Sequence, residues 1–102
     1  MQLRRVLFTF GVEYDTSVSK LKKIKKIVEK IVSDTKRVKL DRVHFKEFGD
    51  SSLIFEVVYY IDTNDYNIYM DIQENINLAI KERVEKEGVG FAFPTSTIYL
   101  KR

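Results

Sequence analysis

The 102 residues contain no cysteine and no tryptophan, and only one proline and four glycines. Without cysteine there is no disulfide, no thiolate metal site and no cysteine nucleophile. So few chain breakers leave no linker or low-complexity stretch, and residues 1–102 are expected to fold as one domain. Long apolar runs are missing too. The longest, VVYYI at 57–61, is far short of the roughly 20 residues that a membrane-spanning helix needs. The opening MQLRRVLFTFGVEYD turns acidic before an apolar segment builds up, so no signal peptide is read there. The single histidine, His44, has only Glu47 as a nearby acid, which suits a surface imidazole better than a metal site or a triad.

What is present is apolar bulk and lopsided charge. Hydrophobic residues make up 44%, with seven Phe and six Tyr. Residues 1–48 carry thirteen Lys/Arg against six Asp/Glu, a surplus of +7; residues 49–102 carry five against nine, a deficit of −4. Such a chain attracts an acidic partner at one end, or a second copy of itself, basic side to acidic side.

Alternation over Leu3–Val12 predicts a strand with Val6, Phe8, Phe10 and Val12 on one face. Three- and four-residue steps through Val18, Leu21, Ile24, Ile27, Val28 and Ile31 predict a helix, with Asp15, Thr16 and Ser17 as cap candidates. Two strands follow, around Val43–Phe45 and over Leu53–Ile61, joined by Gly49-Asp50-Ser51-Ser52. In that turn glycine is expected to supply the bend, and the Asp and Ser side chains to satisfy turn amides. A second helix over 66–87 carries Tyr69, Ile72, Ile76, Ala79, Ile80 and Arg83-Val84 inward and stops at Gly88. Pro94 then precedes a last strand at Thr95–Leu100.

The order strand, helix, strand, strand, helix, strand predicts a ferredoxin-like α+β domain, βαββαβ, with two helices on one face of an antiparallel or mixed sheet. The other face is expected to carry Leu7, Thr9, His44, Lys46, Ile54, Glu56, Val58 and Tyr60. Leu7, Ile54, Val58 and Tyr60 are too apolar for a fully solvated face, and predict contact with another protein surface. With one aromatic, Tyr60, that face lacks the stacking platform of an RNA-binding sheet. The lysines between 20 and 30 fall mostly off the apolar stripe and read first as a solvated helix face; the rival is a free-standing binding module, for nucleic acid through this helix or for a small ligand, of which the sequence carries no signature. GVG at 88–90 follows a helix rather than preceding one, the wrong geometry for a phosphate cradle. No acid–base pair, nucleophile motif or cofactor fingerprint is found, so neither an enzyme nor a cofactor is expected.

Two segments, FGDSSLIFEVVYYI and DIQENINLAIKERVEKEGVGFAFPTSTIYL, together resemble the C-terminal cytoplasmic α/β domain of small-conductance mechanosensitive channels, and FGVEYDTSVSKLKKIKKIV matches it more loosely. The resemblance covers about residues 6–100. It implies a homo-oligomer, a ring of seven in the whole channel, enclosing a perforated chamber on the cytoplasmic face of the membrane. It further implies that Phe93 and Pro94 form a corner releasing the last strand, in which Thr95, Thr97 and Tyr99 share one side and Ile98 and Leu100 the other, for pairing with strands of other copies. Folding back as a fourth strand of its own sheet is the other home open to it. The family's membrane helices and middle β domain have no counterpart within these residues, so membrane contact is expected only through segments outside them.

Overall fold

The computed structural model describes residues 3–92. Its elements run β1 (Leu3–Val12), α1 (Val18–Ser33), β2 (Val38–Phe48), β3 (Leu53–Asp62) and α2 (Tyr66–Lys86). The three strands form an antiparallel sheet in the order β1-β3-β2. Past α2, Phe91 bridges antiparallel to Val12 on the outer side of β1, so the chain returns to the place of a fourth strand. The predicted strand Thr95–Leu100 lies outside the described residues.

β3 is central because it is the most apolar strand. Leu53, Phe55, Val57, Tyr59 and Ile61 are all buried under the helices, as alternation requires. Val6 and Val12 of β1 and Val43 of β2 flank them, and Ile24, Val28 and Val32 of α1 with Ile76, Ile80 and Val84 of α2 close the core. The rings of Phe10 and Phe55 stack 5.3 Å apart, and Tyr59 meets Phe8 edge-on.

Ser17 caps α1, its hydroxyl accepting the Lys20 N–H at 3.3 Å; Asp15 and Thr16 stand in the preceding turn. Asp65 caps α2 by accepting the Asn67 and Ile68 N–H groups. Gly88, at φ 80°, ends α2 in a conformation that glycine adopts without penalty. The inward stripes differ from expectation at their ends. Val18, at the first turn of α1, is 67% exposed, and Val32 is buried in its place. Arg83 is exposed beside buried Val84, since a guanidinium stays in water at little cost. β2 is the irregular strand: its register with β3 shifts between Leu40 and Arg42 and again between Phe45 and Glu47, where simple alternation was expected.

Candidate assembly surface

The uncovered face of the sheet is a charged frame around a narrow apolar strip. Register places Leu7 opposite Val58 and Thr9 opposite Glu56 on one side of β3, with Arg42 opposite Val58 and His44 opposite Glu56 on the other. Glu56 sits between two cations, 3.8 Å from Arg42 Nε and 3.7 Å from Lys46 Nζ. The bulge after Phe45 brings Lys46 within reach, and Glu47 then pairs opposite Ile54. Val58 is 0% exposed although no helix covers it, because its neighbours on both strands close over it. Its apolar character is therefore satisfied inside the chain. Ile54 and Tyr60 are half-buried, whereas Leu7 remains 47% exposed and Leu3 is exposed beyond it.

At the end of this face the 49–52 turn is closed by the Gly49 N–H donating to the Ser52 carbonyl at 2.7 Å and by the Tyr14 hydroxyl donating to the Gly49 carbonyl. The Gly49 amide is thus satisfied by backbone and the tyrosine holds a carbonyl, while the Asp50 and Ser side chains accept no turn amide among the described residues. Ser51 is half-buried and Asp50 exposed, while Ser52 is buried against Gly11. Gly49 does not take a positive φ; a Cβ there would stand 2.9 Å from the Ser52 carbonyl oxygen, so it is close approach and not the bend that selects glycine. Gly11 is tighter, with a Cβ reaching 2.4 Å from Ser52 Oγ. The sequence reading missed this pairing. Its only signal was a glycine inside an alternating strand.

Beside β1 the chain's return leaves a groove. The Glu13 N–H donates to the Gly90 carbonyl at 3.1 Å and the Ala92 N–H to the Gly11 carbonyl at 3.0 Å. Next to them a cavity of about 500 Å³ opens between Phe8, Phe10, Phe91 and Ala92 on one side and Gln73, Asn77, Ile80 and Lys81 of α2 on the other. Phe93, Pro94, Thr95, Thr97 and Tyr99 lie outside the described residues, so the structure places none of them.

Electrostatics elsewhere serve the fold. Lys23 and Lys20 of α1 both reach Glu87 at the end of α2, at 3.1 and 3.3 Å, and the hydrogen bond from Lys23 leads in holding that carboxyl below its ordinary range. The Tyr59 hydroxyl finds no hydrogen-bond partner among the described residues; burial, then nearby Tyr69, pushes it up to about 12. Among the described residues no helix is long and apolar enough to cross a membrane, and no cluster of three or more potential metal ligands occurs.

The profile described as "Mechanosensitive ion channel MscS, C-terminal" matches residues 6–91. The small-conductance channel MscMJ of Methanocaldococcus jannaschii is 44% identical over 100 residues, which are 97% of this chain and 29% of that protein. The low-conductance channel YnaI of Escherichia coli is 30% identical over 108 residues, 98% of this chain and 30% of its own length. The chain thus spans less than a third of the length of these relatives. Among solved structures, Arabidopsis thaliana MSL1 superposes with a TM-score of 0.81 at 12% identity, over 92% of this chain and 36% of that one. Closed-state Helicobacter pylori MscS gives 0.67 at 18%, over 100% and 40%. At such identities the superpositions speak for the fold, and the profile match, spread over both helices and all three strands, decides the family: the chain belongs to the C-terminal domains of MscS mechanosensitive ion channels.

Proposed function

We propose that this domain forms part of the wall of a cytoplasmic chamber below a channel pore, packs there against identical copies in a ring of seven, and influences gating through that packing. The observation that carries the proposal is the register at the outer edge of β1. Residues 90 and 92 pair with β1 through hydrogen bonds at Glu13 and Gly11. The next such position opposite β1, across from Thr9, falls on Pro94, which has no N–H to give. Read straight on in this register, Thr95 and Thr97 would face the apolar side beside Phe8 and Val6, while Ile98 and Leu100 would face away from the core. Both arguments favour a tail that leaves its own sheet at Phe93-Pro94 and pairs Thr95–Leu100 with other copies. The exposed strip at Leu7, with Ile54 and Tyr60 beside it and Val58 beneath, is the second surface for contact with the rest of the assembly.

A packing preference that differs between open and closed arrangements shifts their balance, which is how a chamber wall acts on gating. Deleting residues 95–102 in a full-length channel carrying this domain is expected to weaken the solubilised oligomer and to alter inactivation in patch recordings. Unchanged assembly and unchanged inactivation would overturn the proposal.

A further inference from the structure

We propose that the outer flank of α1 in one copy seats on the outer flank of α2 in the next, basic surface on acidic surface, head to tail. This deepens the chamber-wall reading and rests on it for the reason that copies meet.

Helical spacing puts Val18, Lys22 and Lys26 on one face of α1, with Lys25 beside them and Glu29 as the one acid among them, so three lysines outweigh one carboxylate there. Lys20 and Lys23 are turned onto Glu87 and Lys30 onto Asp34, whereas Lys22, Lys25 and Lys26 make no ion pair among the described residues. On α2, Met70, Glu74 and Leu78 follow one another at four-residue steps, with Asp71 adjacent. Between residues 47 and 80 the chain carries seven Asp/Glu and no Lys or Arg, and neither Asp71 nor Glu74 makes an ion pair among the described residues. Met70, Glu74 and Leu78 border a depression of about 430 Å³, and Leu78 is 59% exposed at its rim. A hollow edged by Met70 and Leu78, with the amides of Gln73 and Asn77 and the Glu74 carboxylate also lining it, fits the stem and head of a lysine, and Val18 offers a matching apolar contact.

The two flanks cannot satisfy each other within one molecule. α1 packs over β2 and α2 borders β1, and these strands are the opposite edges of the sheet. The complement of each flank is therefore found on another copy. Because the two surfaces differ, the contact repeats from copy to copy and closes a ring when the rotation permits.

Sedimentation of the chain over a concentration series tests this. Self-association is expected, weakening with salt as exposed ion pairs are screened. K22E/K25E/K26E alone and D71K/E74K alone should each weaken it by at least about tenfold. An equimolar mixture of the two variants should restore it, since each then offers the flank the other lacks. The uncharged change Leu78→Ser should weaken it less, and circular dichroism of every variant should match the parent. Absent self-association, association indifferent to both sets of reversals, or no rescue on mixing overturns the inference, as does lysine-dependent binding of RNA or anionic vesicles by a chain that stays monomeric. The 95–102 deletion distinguishes the two ideas. Assembly lost on deletion but untouched by the reversals removes this contact and leaves the chamber wall; the opposite pattern removes the tail's role and leaves this contact.

Discussion

The two faces of β3 are made by the same ten residues and have different fates. The odd-numbered side chains from Leu53 to Ile61 lie under two helices and are all buried. On the other face only Val58 is buried, while Ile54, Glu56, Tyr60 and Asp62 are half-exposed within a frame of Arg42, Lys46 and Glu56 ion pairs. A central strand is thus partly covered by its neighbours' side chains even where no layer lies over it. Alternation alone therefore overstates how much such a face needs a partner. What it leaves open here is concentrated in β1, at Leu7 and Leu3.

Graded truncation separates burial by helices from burial by neighbouring strands. Phe55→Ala removes a stacked core ring and is expected to cost about 3–5 kcal/mol in urea unfolding. Val58→Ala on the uncovered face should cost about 1.5–3 kcal/mol if burial by neighbours is what matters. Leu7→Ala should stay within about 0.5 kcal/mol in the isolated chain. A near-zero value for Val58→Ala would show that burial by neighbouring strand side chains contributes little there.

The close packing at the end of the same face is tested by Gly11→Ala. Its new methyl meets Ser52, and about 1–3 kcal/mol should be lost. Ser52→Gly in the same chain should recover part of that loss in a double-mutant cycle, because both the Oγ and the Cβ of Ser52 are in the way.

Tyr59 sharpens the comparison from the covered side. Its hydroxyl is held protonated to about 12 when folded, against 10 for the ordinary group. The fold therefore favours the protonated form, and this contribution is complete below pH 10 and disappears as pH rises from 10 to about 12. Tyr59→Phe is expected to leave neutral-pH stability unchanged or raise it by up to about 1 kcal/mol, since the hydroxyl has no partner among the described residues. It should also remove that part of the alkaline loss, seen in melts from pH 9 to 12.

The smallest effect belongs to the surface. The Glu87 carboxyl is held low by Lys23 and Lys20, so its contribution is present above the ordinary carboxylate range and is lost as pH falls through the lowered value. Glu87→Gln should give a slight, salt-sensitive loss at pH 7 that vanishes in acid melts.

How much of this was readable beforehand depended on the range of the interactions. The strand and helix periods, the Ser17 cap and the Gly88 stop are local, and the sequence carried them within a residue or two. The bulges of β2 were not legible, because extra residues are defined only against the partner strand. Nor was the reason for Gly11 and Gly49, which depends on Ser52 arriving across the sheet and the turn. Val18 and Val32 exchanged roles because a period sets a stripe's direction, while the neighbours set where along the helix it is covered.

The order of the five described elements, the apolar face of each and the separation of a basic first half from an acidic second half are properties of the chain alone. These follow from backbone period and composition, which no distant contact alters. Only the packed fold closes Val58 over without a helix, makes Ser52 demand a glycine at position 11, and sets the lysine-rich flank of α1 and the Asp71–Glu74 flank of α2 at opposite edges of the sheet. Each of these is a statement about which surfaces meet, and residues far apart in the chain meet only after the strands have paired.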